Sequence, residues 1–225
     1  LAAFSTMFGK HHCSGGQGGF VFTRDQALYE KVRRCSDRGK PFFLPAGSSN
    51  VTASLNFNLN DLAAAIGRVQ LRKLPGIVQR RREIAARIAQ EIDSLATVSF
   101  PSYLPGAEPS FWFLRLVFHP ERAACAKDVY CQALIAEGLP VTENYRAALP
   151  HTMDWFVHRR VFGASGYPWS SPQYTGDPQA DFPCPNANAA MQACFLLHFH
   201  ENWGEAEIAD VVQILQKVEE AFRIP

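Results

Sequence analysis

The spacing of apolar residues changes several times along this chain, and each change predicts an element. Phe20-Val21-Phe22-Thr23 follows a run of glycines and reads as a buried strand. Thr23-Arg24-Asp25-Gln26 is a capping-box pattern, with Thr23 as N-cap and Gln26 reaching back. It predicts a helix that carries Leu28 and Val32 on one face and ends at Gly39, with Pro41 just beyond. Residues 40–54 read as a loop, but Phe42, Phe43 and Leu44 are too apolar for a free linker and are expected to pack on this domain or on a partner subunit. Asn60 is placed as the N-cap of a helix with a Leu62, Ile66, Val69 stripe. Pro75 is expected to open a second helix, where proline is tolerated, with Ile77, Ile84, Ile88 and Ile92 as its apolar face.

From Val98 the character changes. Pro101, Pro105 and Pro109 punctuate a loop, and residues 111–118 predict a strand in which Arg115 is the only charge. A solvated strand edge and a contact to a carboxylate or phosphate are both open for Arg115. A helix is expected over residues 123–137, closed by Gly138, and residues 139–142 read as a short edge strand. Residues 143–183 form a long irregular stretch holding Tyr145, Trp155, Tyr167, Trp169 and Tyr174, either a stacking surface or the satellite core of a loop. Pro183-Cys184-Pro185-Asn186-Ala187 starts a short helix, and residues 195–200 predict a strand with His198 and His200 on one side, a structural pair or a ligand pair. Glu205 and Glu207 sit at the positive end of a last helix whose core stripe runs from Ile208 to Phe222.

Composition narrows the function classes. With 225 residues, 47% of them hydrophobic and 19% charged, the chain has the make-up of a soluble globular protein of one large or two small domains. A net charge of +1 offers no electrostatic case for nucleic acid or an anionic membrane, and Arg80-Arg81-Arg82 is read as solvated face and ion pairs. No apolar run is long enough to span a bilayer, and the first residues show no secretion signal, so a cytoplasmic protein is expected. The six cysteines form no C-x-x-C pair and are expected to be buried or half-buried free thiols. His11-His12-Cys13 invites a metal reading, but adjacent residues rarely converge on one ion and no second cluster completes the site.

The chemistry sits near the start. Lys10 stands between small and apolar residues, ahead of Gly15-Gly16-Gln17-Gly18-Gly19. Desolvation disfavours a charged amine, and the neutral amine is the form that attacks a carbonyl to make a Schiff base. A solvated loop lysine fits the same residues. The pattern of Ser5, Lys10 and then Gly16-Gln17-Gly18-Gly19 leading into a strand resembles the cofactor segment of the DegT/DnrJ/EryC1/StrS sugar and cyclitol aminotransferases. The resemblance implies that Lys10 carries pyridoxal 5'-phosphate (PLP) as a Schiff base and that Ser5 bonds its phosphate. Gln17 stands where an acidic residue is common. The stretch from Leu55 to Leu71 is also similar to the family, whose turn asparagine reaches across a homodimer interface to the partner's cofactor phosphate; the matching residue is Asn56. An Asx-turn with no ligand fits Asn56 as well. Asn58 replaces a customary basic residue, and Asn144-Tyr145 resembles a substrate-side histidine-tyrosine step, which leaves the substrate role to Tyr145.

The resemblance implies an α/β, fold-type-I PLP-dependent transferase. Residues 1–74 would be the C-terminal part of the large domain, 75–95 a linking helix and 96–225 a small α/β domain. The implied reaction transfers an amino group from an amino acid to a keto-sugar nucleotide or keto-cyclitol. Dehydratase relatives replace the lysine by histidine, and Lys10 is kept here. The family's ring-stacking aromatic and pyridine-binding aspartate precede the lysine by tens of residues, and this sequence begins nine residues before Lys10. The expectation is therefore an aminotransferase lacking its N-terminal half, weak or inert by itself, or else a non-catalytic dimerisation or binding remnant.

Overall fold

The computed structural model describes residues 1–145 and 149–224. The chain divides into two units, Leu1–Arg81 and Arg82–Pro225. In the first, β1 (Ala2–Ser5) and β2 (Gly19–Phe22) form an antiparallel pair in which Ser5 faces Gly19. Helix α1 (Gln26–Ser36) is capped by Asp25, whose carboxylate accepts from Leu28 N–H at 2.9 Å. The N-cap is thus two residues later than the capping-box pattern suggested; Thr23 Oγ1 instead accepts from Asp25 N–H and sets up the cap. The chain turns after α1 at Gly39, where φ is +73° and a Cβ would overlap the Thr52 carbonyl oxygen, so only glycine fits. The apolar loop folds back on α1 as expected, with Phe43 against Tyr29 and the Arg33 guanidinium 3.9 Å from the Phe42 ring centre.

Asn60 caps the next helix, accepting from Ala63 N–H at 2.8 Å. That helix, α2 (Asp61–Glu91), runs 31 residues without a break, so Pro75 lies inside it and opens nothing. Proline removes one i→i−4 bond, but Leu71, whose carbonyl loses its partner, is exposed and can be hydrated. The two halves of α2 differ in burial: Leu62, Ile66 and Val69 are exposed, whereas Ile84 and Ile88, like Ile92 just past its end, are buried. Arg82 pairs with Glu108 as an ion pair, but Arg81 is buried, against the expectation of a solvated arginine run.

The second unit is built on a four-stranded sheet in the order β3-β4-β6-β5: Val98–Ser99, Leu114–Phe118, Cys194–Leu197 and Val141–Thr142. Every neighbouring pair is antiparallel, so β4 and β5 run parallel with β6 between them. The expected strand–helix–strand succession is present as β4, α3 (Lys127–Ala136) and β5, a split βαβ unit. The strands are shorter than predicted, because Phe111 adopts φ +50° and His198 and His200 lie beyond the end of β6. β4 alternates, with Leu114, Leu116 and Phe118 buried and Arg115 half-exposed on the other face of an interior strand rather than at an edge.

Helices α3 and α6 (Glu205–Phe222) cover the core face with Tyr130, Leu134, Ile208, Val211 and Leu215. At the start of α6, Glu207 accepts from Gly204 N–H at 2.8 Å, one half of a capping box. A buried polar chain crosses this core. Glu219 accepts from Ala96 N–H (2.8 Å), Thr97 N–H (2.9 Å) and the Thr97 hydroxyl. A carboxylate only accepts, so the Thr97 proton is spent on it and Tyr130 O–H donates to Thr97 at 2.9 Å.

The long aromatic stretch contains a one-turn helix, α4 (Asp154–Val157), and leads to α5 (Pro185–Ala193). Its centre is Arg159. The guanidinium lies 4.9 Å from the Trp169 ring centre and 5.2 Å from that of Phe156, and it donates to the carbonyls of Phe156, Pro178 and Ala180. Phe156, Trp169 and Phe182 thus make a satellite core around one cation.

Candidate functional site

Lys10 is carried on the loop that joins β1 to β2. Main-chain bonds close that loop: Thr6 N–H to Gly18 O at 2.9 Å, Phe8 N–H to Gly16 O at 2.8 Å and Lys10 N–H to Met7 O at 2.9 Å. Beneath it the Thr6 and Ser14 hydroxyls are buried 2.8 Å apart, and Ser14 also donates to the Thr6 carbonyl. His12 Nε2 lies 2.9 Å from the Gly67 carbonyl of α2; a carbonyl accepts only, so this nitrogen bears the hydrogen. A Cβ on Gly18 would come within 2.8 Å of both Thr6 Oγ1 and Leu59 Cδ1, so the glycine run serves first to let the loop close. Lys10 itself is half-buried.

Ser5 ends β1, and its hydroxyl oxygen accepts from Met7 N–H at 3.3 Å. Asn56 pairs with Asp37 as an isolated bridge, flanked by Arg38 N–H to Leu55 O and Phe57 N–H to Ser36 O. Its side-chain oxygen accepts from Asn58 N–H at 3.1 Å and Asn58 Nδ2 at 2.9 Å, so the Asx-turn reading is part of the answer. Asp37 beneath it is buried, and hydrogen bonds from Arg38 first and Lys40 second hold its carboxyl well below the usual range, at about 2. Asn58 also helps to lower the pKa of this group.

An open cleft of about 890 Å³ runs past Asn56, Asn58, Gln17 and the stacked Phe4 and Phe20 rings, and Arg33 is the one ionic side chain lining it. The cleft takes in Asn56 but neither Lys10 nor Ser5; Gly19, the strand partner of Ser5, does line it.

Tyr145 belongs to the other unit. Its ring packs on Phe113 at 5.8 Å, and Phe113 also meets Trp112 and His198. Asn144, the departure from histidine, accepts from Lys127 Nζ at 3.0 Å, and the same ammonium ties down the carbonyls of Met191 and Cys194. His198 bonds Thr142 Oγ1 at 2.8 Å and His200 Nδ1 accepts from Asn202 N–H, so the two histidines do separate structural work. Lys10, Ser5 and Asn56 therefore share one unit and Tyr145 stands in the second. The sequence reading missed Asp37 and Lys127 and saw Asn58 only as a departure. The Asn-Phe-Asn spacing was the available signal, since asparagine bonds the backbone two residues on.

Among the described residues no group of three or more His, Cys, Asp or Glu could hold a metal ion, and no helix is long and apolar enough to cross a membrane. All six cysteines are free; Cys131 is buried, but Cys35 and Cys184 are exposed, unlike the expectation.

Comparison with known proteins bears on this arrangement. The chain is 29% identical over 216 residues, 91% of its length, to dTDP-4-dehydro-2,3,6-trideoxy-D-glucose 4-aminotransferase of Saccharopolyspora spinosa, of which it covers 49%. It is 31% identical over 98 residues to GDP-perosamine synthase of Escherichia coli O157:H7, 44% of this chain and 26% of that one. The aminotransferase TlmJ from Streptoalloteichus hindustanus superposes with a TM-score of 0.75 at 24% identity over 97% of this chain and 52% of its own. Helicobacter pylori PseC, an aminotransferase involved in the biosynthesis of pseudoaminic acid, gives 0.75 at 20% identity over 98% and 53%. The chain thus spans about half the length of the Saccharopolyspora spinosa relative. The fold is the expected α/β fold-type-I architecture of these transferases. The model of the DegT/DnrJ/EryC1/StrS aminotransferase family matches residues 1–165, and the chain belongs to that family.

Proposed function

We propose that the protein to which this chain belongs is a PLP-dependent aminotransferase, a homodimer that moves an amino group from an amino acid to a keto-sugar nucleotide or keto-cyclitol. One observation carries the reading toward the cofactor. Ser5 and Asn56 both spend their acceptor oxygens on internal N–H groups, while the Ser5 hydroxyl hydrogen and the Asn56 NH₂ make no hydrogen bond among the described residues. A phosphate accepts and does not donate, so the pair is complementary to it.

When bound, PLP supplies an electron sink for the carbon next to the transferred nitrogen. Lys10 would be the residue that holds the cofactor through its Nζ, and its amine would move the proton to and from the substrate carbon. Ser5 and Asn56 orient the phosphate, and Asn56 does so for the partner subunit. Tyr145, braced on Phe113, offers its ring and hydroxyl to the substrate.

The exposed apolar residues of the first unit, Phe4, Phe20, Phe22, Leu62 and Ile66 among them, favour a second reading, a non-catalytic dimerisation or binding remnant. Visible absorbance after addition of PLP, then borohydride reduction and peptide mapping, separates the two. A Schiff-base band trapped on Lys10 is expected. Label spread over many lysines, or no band, rejects the cofactor site on this chain.

A further inference from the structure

We infer that Asn58 is a positioning residue that turns the Asn56 amide outward as a donor to the cofactor phosphate. The inference rests on the reading above and adds a residue to it. An asparagine amide can present either its oxygen or its NH₂ to a ligand, and the two differ by a half-turn about χ2. Here Asn56 Oδ1 receives two N–H groups from Asn58, main chain at 3.1 Å and side chain at 2.9 Å. The half-turn would set NH₂ against both donors and leave all of them unpaired, so the oxygen stays inward.

Asn58 is fixed in its turn. Its side chain lies beside the Asp37 carboxylate and helps to lower its pKa, and Arg38 at 2.8 Å and Lys40 at 3.0 Å keep that group ionised. The main chain of this turn is held independently by the Asp37–Asn56 bridge and by Phe57 N–H to Ser36 O at 2.9 Å. The Asn58 side chain therefore supplies the second of the two donors that orient the amide and does not set the path of the backbone. The amide NH₂ is left on a cleft whose one ionic lining side chain is the cation Arg33. Relatives that place a basic residue at this position would offer the phosphate a charge; this chain uses the position to aim a neutral donor.

The test compares binding of PLP with that of pyridoxal, which keeps the aldehyde and lacks the phosphate, by absorbance titration of the full chain. The unsubstituted chain is expected to favour PLP and to trap it on Lys10. Asn58→Ala should cut PLP affinity roughly five- to tenfold, the scale of one hydrogen bond to a charged group, and leave pyridoxal affinity and Tm unchanged. In an Asn56→Ala background, Asn58→Ala should add nothing, because the two act as one. An equal loss for both ligands, no loss at all, or full additivity with Asn56→Ala overturns the inference while the Lys10 adduct stands. Failure of the unsubstituted chain to form the Lys10 adduct, or to distinguish PLP from pyridoxal, refutes the reading beneath it. A readout without the cofactor is the Asn56 side-chain amide pair in ¹⁵N–¹H spectra under titration with inorganic phosphate. It should shift in the unsubstituted chain and clearly less in Asn58→Ala; equal shifts in both would also overturn the inference.

Discussion

Glu219→Gln tests the buried polar chain that ties α6 to the start of β3. The carboxylate is 4% exposed and receives three donors, two from the main chain at Ala96 and Thr97 and one from the Thr97 hydroxyl. The amide keeps the shape but turns one acceptor into a donor; with the NH₂ at the Oε1 position the Ala96 N–H loses its partner and both Thr97 bonds remain. Leaving a buried N–H unpaired costs about 1–3 kcal/mol, and loss of charge assistance on the remaining bonds adds about 1 kcal/mol, giving about 3 kcal/mol in all. For a unit of this size that is a drop in Tm of roughly 6–12 °C. Urea unfolding followed by tryptophan fluorescence reads it cleanly, since Trp112, Trp155, Trp169 and Trp203 all lie in Arg82–Pro225. The pH dependence has a definite sign. Burial acts to raise the Glu219 pKa, but the hydrogen bonds from Thr97 and Ala96 outweigh it and hold the group below its ordinary value of 4.5. A depressed folded pKa contributes stability in full above the unfolded pKa and loses it as pH falls through the folded one. The gap between the parent and Glu219→Gln should thus be constant near neutrality and close below about pH 4.5. A loss under about 1 kcal/mol, or a gap that widens in acid, would refute the assignment of these bonds.

Arg159→Ala removes bonds to three carbonyls and the cation shared by Phe156 and Trp169, a local loss of about 2 kcal/mol at a partly exposed site. Limited proteolysis should cut within residues 150–183 several-fold faster, and Arg159→Lys, lacking the planar fork, should not restore resistance; an unchanged cutting rate would sink the satellite-core account. Thiol labelling should modify Cys35 and Cys184 first and reach Cys131 only on unfolding, because burial pushes its thiol up to about 12. Early labelling of Cys131 would contradict the packing of α3.

What could be read in the sequence was what local chemistry determines. Asn60 as a cap follows from one asparagine at the head of an apolar stripe, and the lysine–glycine pattern pointed to the right family. The errors came where two local signals compete or where the partner is remote. Thr23 and Asp25 both make cap-like bonds, and only the second meets the helix. Pro75 is a helix opener by preference, yet an exposed helix interior accepts it. Glu219 looks like a solvated residue late in an amphipathic helix; its partners stand more than a hundred residues earlier, and no local pattern reports them.

The two units differ in what holds them. Arg82–Pro225 has a filled apolar core, whereas among the described residues of Leu1–Arg81 no apolar side chain is buried. A lone pair of strands is marginal in water, so β1 and β2 keep their geometry through the loop between them. The buried Thr6–Ser14 pair and the His12 bond to Gly67 do that by hydrogen bonding alone. The same economy applies to Asn56, whose orientation depends on the two N–H donors of Asn58 rather than on burial. The residues assigned to the cofactor therefore sit over a few buried polar groups, where water competes for the bonds of their own exposed side chains. Covering the apolar faces of Leu1–Arg81 would strengthen each of those bonds by lowering the local dielectric. Cofactor affinity at Lys10 should for that reason track how much of that apolar surface is covered, more closely than it tracks any single contact to the phosphate.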